Sequence, residues 1–512
     1  MKTKNNNVES VNKLIKEYST GFDYKVKETA IILAAGHGKR IKSQTSKMLH
    51  KIWEIPTVER VVNACSKGLK KLNTIIVVGI KAEDVIQVVG KRKNTTFAYQ
   101  QVQNGTGHAV QVALKNIKKQ YDGNVYILPG DMGLINDKTM RMFKTKFVKS
   151  NADLMVLTGL YEGDPKNNYY GRIVRVKKTD INGKPAGKDF GKVIEIKEYK
   201  DILSLKDNEQ YVVSFNGKKY GFTKEELLNN NEFNSGVFAF KYKPLKKLIN
   251  KLENKNVQKE IYITDLISVF NKNGLTVRAV SPEQQYVIMG FNNKSVLKQM
   301  ENIARKMMYD KIKDIVQIDD PDDFFIDESV IEEIIKADKK GKPLDLKVGK
   351  GVYIGKGVKL NYNLTLKKNV CVQGNVIFGK NVTVWENAHL SCFPEQKFII
   401  GDNVEILWGD IIKGNIIIGE NSRIESSVNM TGSDEFPLRI GKNVTIKGTS
   451  YLFGTIVDDD IFIEHSVLIK KKVDKLIKKN GEIQKIRFYL PMPAGIDAIE
   501  SLQDCNKKNG AK

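Results

Sequence analysis

From residue 348 onward the chain repeats with a period of six, and few folds satisfy that constraint. Apolar residues fall at Val348, Ile354, Leu360, Leu366, Val372, Phe378, Val384 and Leu390. A second apolar series runs through Val352, Val358, Leu364, Val370, Val376 and Val382. Glycine or lysine follows many of these positions. A sustained period of this kind is the repeat of a parallel β-helix, in which each hexapeptide supplies one face of a coil. The repeat breaks over residues 391–399 and resumes at Ile400, Ile406, Ile412, Ile418, Ile424 and Met430. It breaks again over residues 431–439 and resumes at Ile440, Ile446 and Leu452. It then slips once and continues through Val457, Ile463 and Ile469. A coil is expected over residues 346–470, followed by a basic, partly irregular tail over residues 471–512.

Ahead of the repeat the pattern changes. From residue 29 to about residue 265, strand-like runs alternate with helix-like segments such as residues 57–69 and 107–119. The runs include Ile75-Ile76-Val77-Val78, Val125-Tyr126-Ile127-Leu128 and Leu154-Met155-Val156-Leu157. That alternation implies an α/β domain with a mostly parallel sheet. At 512 residues the chain is long enough for two or three domains. The expected order is an N-terminal extension (1–28) with a weakly amphipathic segment at 8–18, the α/β domain (29–294), a helical linker (295–345), the coil and the tail.

The formal charge of +25, from 84 Lys+Arg against 59 Asp+Glu, could suggest nucleic acid or an anionic membrane. The lysines, however, are dispersed among asparagines along the whole chain and are not gathered with aromatics into a stripe. A solvated surface that attracts small anions is the expected reading, with no nucleic-acid partner. Cys65, Cys371, Cys392 and Cys505 lie far apart with no C-x-x-C spacing, which argues against a disulfide framework or a zinc site. No run of transmembrane length and no signal-peptide core is present, so a cytoplasmic location and no membrane partner are expected.

The chemistry is expected in residues 29–50. Ala30-Ile31-Ile32-Leu33 reads as a short buried strand, and Ala34-Ala35-Gly36-His37-Gly38 turns tightly with small residues that leave its amides open. Arg40 and Lys47 then bring a planar fork and a point charge within reach of whatever the loop holds. A polyphosphate suits that set. The loop is neither a P-loop nor a Rossmann fingerprint, because Gly36 and Gly38 are followed by Lys39, Arg40 and Ile41. A strand followed by a glycine turn is also a common structural element, and the longer string separates the two readings.

That string, LAAGHGKRIKSQTSKMLH, resembles the signature of the sugar nucleotidyltransferases, closest to the uridylyltransferase half of bacterial N-acetylglucosamine-1-phosphate uridylyltransferases. In that family L-A-A-G-x-G-T-R-M leads to P-K-x-L-H; Lys39 stands here for the Thr and Ser46 for the Pro. The resemblance implies a Rossmann-like nucleotidyltransferase domain in which Leu33, Ala34, Ala35, Gly36 and Gly38 hold the nucleotide and Arg40 and Lys47 act on its phosphates. Ligands in such sheets bind beyond the carboxyl ends of the strands, and the matching motifs fall there.

Gln100-Gln101-Val102-Gln103-Asn104-Gly105-Thr106-Gly107-His108-Ala109 is similar to the family's Q-x-x-Q-x-G-T-G-H-A, which assigns uracil contacts to Gln100, Gln103, Gly105 and Thr106. Pro129-Gly130-Asp131 supplies a first Mg²⁺ ligand in Asp131, and Phe291-Asn292-Asn293 a second in Asn292. Tyr170-Gly171-Arg172-Ile173, Ile194-Glu195-Ile196-Lys197 and Glu232-Phe233-Asn234-Ser235-Gly236 place Gly171, Glu195 and Asn234 at the sugar. Residues 256–265 resemble the family's N-A-Q-G-E-Y-Y-L-T-D and read as a structural marker.

The resemblance therefore implies Mg²⁺-dependent formation of UDP-N-acetylglucosamine and pyrophosphate from UTP and N-acetylglucosamine 1-phosphate. Alternatives are a uridylyl- or thymidylyltransferase for another hexose 1-phosphate, or a non-catalytic assembly subunit of the same architecture. Similarity to hexapeptide-repeat proteins makes the coil left-handed and implies a homotrimer. Acetyl transfer is not expected, because His389 and His465 read as structural and the family's H-x-x-Y-L-G-D stretch is missing. Residues 202–231 form an extra segment, read as a hairpin around Asn216-Gly217 followed by a helix. It either reshapes the sugar pocket or lies remote from it.

Overall fold

A computed structural model describes residues 2–36 and 38–489 and divides the chain into two units, Met1–Ala304 and Arg305–Lys512. In the first unit the apolar runs form a Rossmann-like sheet. Its strands lie in the order Val277–Val280, Leu154–Leu160, Glu232–Lys241, Asn124–Pro129, Glu28–Ala34, Asn73–Val78 and Thr95–Tyr99. Glu28–Ala34 runs parallel to both neighbours, and only Glu232–Lys241 opposes the strands on either side of it.

Successive residues of the central strands point to opposite faces, and helices cover both. Ala30, Ile32, Ile76 and Val78 pack with Val58, Val62 and Phe143 on one face. Ile31, Ile75 and Val77 pack with Val110, Ala113 and Phe270 on the other. Burial on both faces is why these strands read as unbroken apolar runs. The parallel register, with Leu33 beside Pro129 and Ala34 beside Val78, brings the loops after three strands to one end of the sheet.

The expected hairpin in the extra segment is present. Tyr211–Phe215 pairs antiparallel with Lys218–Phe222 through Asn216 and Gly217, at φ 47° and 76°, the left-handed pair that a two-residue hairpin turn needs. The Lys224–Asn229 helix follows, its start fixed by reciprocal bonds between Thr223 and Glu226.

The second unit is the left-handed parallel β-helix expected from the repeat, with three flat sheets of 8, 8 and 6 strands. Val348 pairs with Leu366, eighteen residues on, and Leu366 with Val384, so three hexapeptides close one coil. The corners require positive φ, and asparagine tolerates it best after glycine. Asn363, Asn369, Asn381, Asn387, Asn403, Asn421 and Asn443 all take it. Their amides stack into ladders, Asn363 to Asn381 at 3.1 Å, Asn381 to Asn403 at 2.9 Å and Asn403 to Asn421 at 2.9 Å. Much of the asparagine in this half therefore serves the coil. Each break in the repeat adds four residues without shifting the pairing: Val384 meets Ile406, and Ile424 meets Ile446, twenty-two residues apart.

Three expectations need correction. The coil begins inside the segment read as a linker. Val316–Ile318 and Phe324–Ile326 pair with Leu346–Val348 and Val352–Ile354, and the Glu328–Asp338 helix is an excursion from that first coil. That helix hid the period. The coil also runs past residue 470, through Lys472–Val473 and a bridge from Ile463 to Ile486. Finally, a second slip puts Leu468 inside at 2% exposure and turns Ile469 out at 41%. Cys505 and the end of the tail lie outside the described residues; Cys65, Cys371 and Cys392 are free thiols. Among the described residues no helix is long and apolar enough to cross a membrane.

Two outcomes follow for the coil. Leu468→Ala should lower unfolding free energy by about 2–5 kcal/mol and Ile469→Ala by less than about 1 kcal/mol, measured by denaturant titration; equal losses would contradict the second slip. Asp410 is fully buried, with Oδ1 accepting from the Val428 amide at 2.8 Å and Oδ2 without a partner among the described residues. Burial pushes its carboxyl up to about 8. The folded state then keeps a proton that the unfolded chain, with its carboxyl near 3.9, releases, so stability falls as pH rises from about 4 to 8. Asp410→Asn keeps the acceptor and should be the more stable form at pH 9, by on the order of a few kcal/mol. Titrations at pH 5 and pH 9 should show the difference widening with pH.

Candidate active site

At the carboxyl end of the parallel strands lies a cavity of about 390 Å³ lined by Leu33, Ala35, Gly36, Gln100, Gln103, Gly105, Thr106 and Asn234, all expected at the site. Ala34 alternates away from it into the core, fully buried, and can offer only its backbone. The Gln100 amide donates to the Gly105 carbonyl at 3.1 Å and meets His108 Nδ1 at 3.1 Å, while Gln103 donates to the Gln100 carbonyl at 2.9 Å. These bonds are internal to the loop and fix its shape.

Residues 256–265 dock against this loop, as a structural marker should. The Gly107 amide donates to the Ile261 carbonyl, the Ile261 amide to the Asn104 carbonyl, and the Ile263 amide to Thr106 Oγ1. A Cβ on Gly105, whose φ is +100°, would sit 2.5 Å from the Ile261 carbonyl oxygen, so this contact requires glycine.

The cations sit nearby. Arg40 is exposed on the short turn Lys39–Ile41; His37 and the Lys39 side chain lie outside the described residues. Lys47 is mostly buried, and its ammonium pairs with the Asp131 carboxylate and donates to Asn292 Oδ1 at 3.1 Å. It also lies 5.3 Å from the Phe291 ring centroid. Gly38 makes room for it, since a Cβ there would meet Lys47 Cβ at 2.7 Å. The two oxygens expected to hold Mg²⁺ thus converge on one point that a cation already occupies. One carboxylate and one amide oxygen is a hard donor set, and Mg²⁺ completes such a set with phosphate oxygens and water. Among the described residues no cluster of three or more His, Cys, Asp or Glu is placed to hold a metal. Ser46, which replaces the family's Pro, has φ −56° and a buried hydroxyl with no partner among the described residues.

At the sugar end Glu195 lies elsewhere than the motif leads one to expect. The Glu195 carboxylate is not at the cavity; it accepts from the Tyr211 hydroxyl of the hairpin at 2.5 Å. Glu198 lines the cavity instead. Glu195 lies within the Val193–Lys197 strand, where its side chain is committed to a neighbouring element, whereas Glu198 is the first residue past the strand end. Val193–Lys197 runs antiparallel to its partner strand, so the strand-end rule of parallel sheets does not reach Glu198. Burial pushes the Glu198 carboxyl up to about 7; the Thr264 hydroxyl opposes the shift, and Asp201 and Asp265 add to it. Gly171 faces Glu198, since a Cβ would meet its carboxylate oxygens at 3.2 Å.

A bulge between Asn234 and Val237 interrupts the long strand and aims Asn234, with Gly236, at the cavity. The main-chain N–H of Asn234 donates to the Gly171 carbonyl at 2.8 Å. Tyr170, not expected at the site, donates its hydroxyl to the Gly290 carbonyl at 3.3 Å. Burial, with Asp131 nearby, pushes that hydroxyl up to about 12, and Arg40 opposes the shift.

Residues 30–174 match the MobA-like NTP transferase domain. The bifunctional protein GlmU of Caldicellulosiruptor saccharolyticus is 34% identical over 269 residues, 52% of this chain and 50% of that protein. The bifunctional protein GlmU of Clostridium tetani is 33% identical over 304 residues, 59% of this chain and 58% of that protein. The chain spans about half the length of the curated relatives it matches. A solved UDP-glucose pyrophosphorylase complexed with UDP-glucose is 13% identical at a TM-score of 0.36, covering 55% of this chain and 99% of that one. The cavity and its Lys47 cluster thus sit in a chain with a GlmU-like nucleotidyltransferase domain followed by a C-terminal repeat region.

Proposed function

We propose that this protein transfers a uridylyl group from UTP to N-acetylglucosamine 1-phosphate, giving UDP-N-acetylglucosamine and pyrophosphate. The observation that carries the reading is the Lys47 ammonium held between Asp131 and Asn292 beside the cavity. A desolvated ion pair is weak support for stability, so a fold kept only for assembly has little physical use for it. That disfavours the non-catalytic alternative.

In the reaction an oxygen of the sugar 1-phosphate bonds to the α-phosphorus of UTP, the bond from that phosphorus to the bridging oxygen breaks, and pyrophosphate leaves with the electron pair. The attacking phosphate is already anionic, so no general base is needed. Catalysis is alignment and charge neutralisation. Lys47 neutralises the reacting phosphates and Arg40 the departing pyrophosphate. Gln100 and Gln103 present amides to the uracil edge, and Gly105 lets the base approach. Asp131 and Asn292 would hold Mg²⁺, which supplies further neutralisation of phosphate charge when bound. Gly171, Glu198 and Asn234 face the sugar. A carboxyl near neutrality can donate to one sugar group and accept from another, which suits the hydroxyl and acetamido groups of this substrate.

The protein is further proposed to work in the cytoplasm as a homotrimer through its β-helix. Ile377, Ile399, Ile417, Arg439 and Ile456 follow one another outward on the third sheet, an apolar row broken once by an arginine, and such a face suits a second copy.

The test is a pyrophosphate-release panel of sugar 1-phosphates against UTP, dTTP, ATP, CTP and GTP with Mg²⁺. N-acetylglucosamine 1-phosphate with UTP should lead, and Lys47→Ala should lower kcat by about 10²–10³-fold. A preference for glucose 1-phosphate would change the substrate, and no turnover would leave the assembly reading. Glu198→Gln should raise KM for the sugar phosphate about tenfold with KM for UTP unchanged, whereas Glu195→Gln should alter neither; the reverse pattern would restore Glu195. Light scattering on the full chain should give the mass of three copies, and a monomer would reject the trimer.

A further inference from the structure

Arg172 is fully buried, yet among the described residues it enters no ion pair. Main-chain carbonyls hold its guanidinium. Nη1 donates to Tyr170, and Nη2 donates to Asn168 at 2.8 Å and to Leu228 at 3.3 Å. The Tyr199 ring centroid lies 5.8 Å from its central carbon, and Nε has no partner among the described residues. Burying a charge without a counter-ion is costly, and the guanidinium's separate terminal nitrogens reach carbonyls that a single ammonium point would have to gather around itself.

The carbonyls come from two places. Asn168 and Tyr170 belong to the loop that ends at Gly171, beside Glu198. Leu228 lies near the end of the Lys224–Asn229 helix in the extra segment. Both parties are tied down elsewhere. Tyr170 stacks on Phe233 at 4.6 Å and reaches Gly290, while Gly171 accepts from the main-chain N–H of Asn234. The extra segment has a core of its own, in which Ile202, Val213, Tyr220, Phe222 and Leu227 pack on Val174, Val176 and Ile194. Its far end is pinned by Asn230 donating to the Ile173 carbonyl at 2.7 Å and by the two-pronged Arg175–Glu232 pair at 2.6 and 2.7 Å.

We propose that Arg172 is a positioning residue that latches residues 202–231 to the loop 168–171, so that the extra segment holds the sugar end of the cavity in shape and governs sugar 1-phosphate selection. None of the three Arg172 bonds involves the uracil-side residues Gln100, Gln103, Gly105 or Thr106. The role in selection rests on the uridylyltransferase reading; the latch itself does not.

The test uses Arg172→Lys and Leu227→Ala in the full chain. A lysine offers one ammonium and cannot span the three carbonyls. Leu227, 2% exposed, sits in the core of the extra segment and does not line the cavity. Hydrogen exchange should speed up at residues 168–171 by at least tenfold in both variants and stay unchanged at residues 29–34. KM for the sugar 1-phosphate should rise at least fivefold, with kcat and KM for UTP within twofold of wild type. Unchanged exchange at 168–171 in Leu227→Ala would overturn the latch, including if Arg172→Lys fails to fold. Equal rises in both KM values, or a loss confined to kcat, would overturn the role in selection. If the wild type turns over no sugar 1-phosphate, the functional reading and the selection role fail together, and exchange alone decides the latch.

Discussion

The site depends on one ammonium being held between two oxygens that reach it from distant parts of the chain. Lys47 comes from the loop after the Glu28–Ala34 strand, Asp131 follows the Asn124–Pro129 strand, and Asn292 precedes the Lys294–Ile312 helix. Parallel pairing of the first two strands sets their ends side by side, and the missing side chain at Gly38 lets Lys47 lie flat enough to reach inward. Each of these conditions is local, but the cation needs all of them. A like-charged neighbour, or a Cβ at Gly290, 3.2 Å from Asp131 Oδ2, would disturb an arrangement that has little solvent to screen it.

Much of this was legible because the physics that places the residues also writes a period or a strand end into the sequence. The six-residue repeat located the coil, since every inward position of a hexapeptide must be apolar. The doubly covered sheet showed as unbroken apolar runs. Asp131, Gln100 and Gln103 stand just after strands and were read there, and Lys47 was read from the loop string that follows Ala34. What the period could not show is where it is interrupted. The Glu328–Asp338 helix splits the first coil and leaves only two short apolar runs ahead of it, so residues 316–326 looked like a linker. Leu468 and Ile469 are adjacent and both apolar, and only the paired register reveals which one faces in.

The placement of Glu195 has a different origin. Ile194-Glu195-Ile196-Lys197 matches the short motif, whereas Glu198, three residues on and preceded by Lys197, does not. The match contains no information about direction, whereas the strand does. Inside Val193–Lys197 a side chain must leave one face or the other, and the face Glu195 leaves by is closed by Tyr211 of the extra segment. That segment has no counterpart in the motif, so its effect on Glu195 could not be anticipated from the motif. Thr264, which lines the cavity, was missed because a threonine after an apolar run gives no sign of which cavity its hydroxyl borders.

The extra segment also bears on the electrostatics of the sugar end. Glu195, Glu198, Asp201 and Asp265 are four carboxyl groups in a small region, and burial raises the first two and the last. Their mutual repulsion would favour exposing them. The Tyr211 hydroxyl bonds one, the Val257 amide bonds Asp201 at 3.1 Å, and Glu198 is left to hold its proton near neutrality with a free face toward the cavity. By capping Glu195, the hairpin allows the cluster to persist while Glu198, with the Thr264 hydroxyl at its carboxylate, borders the cavity. A hydroxyl-rich ligand meeting Glu198 finds a group able to donate or accept, at a position where an ordinary ionised carboxylate could only accept.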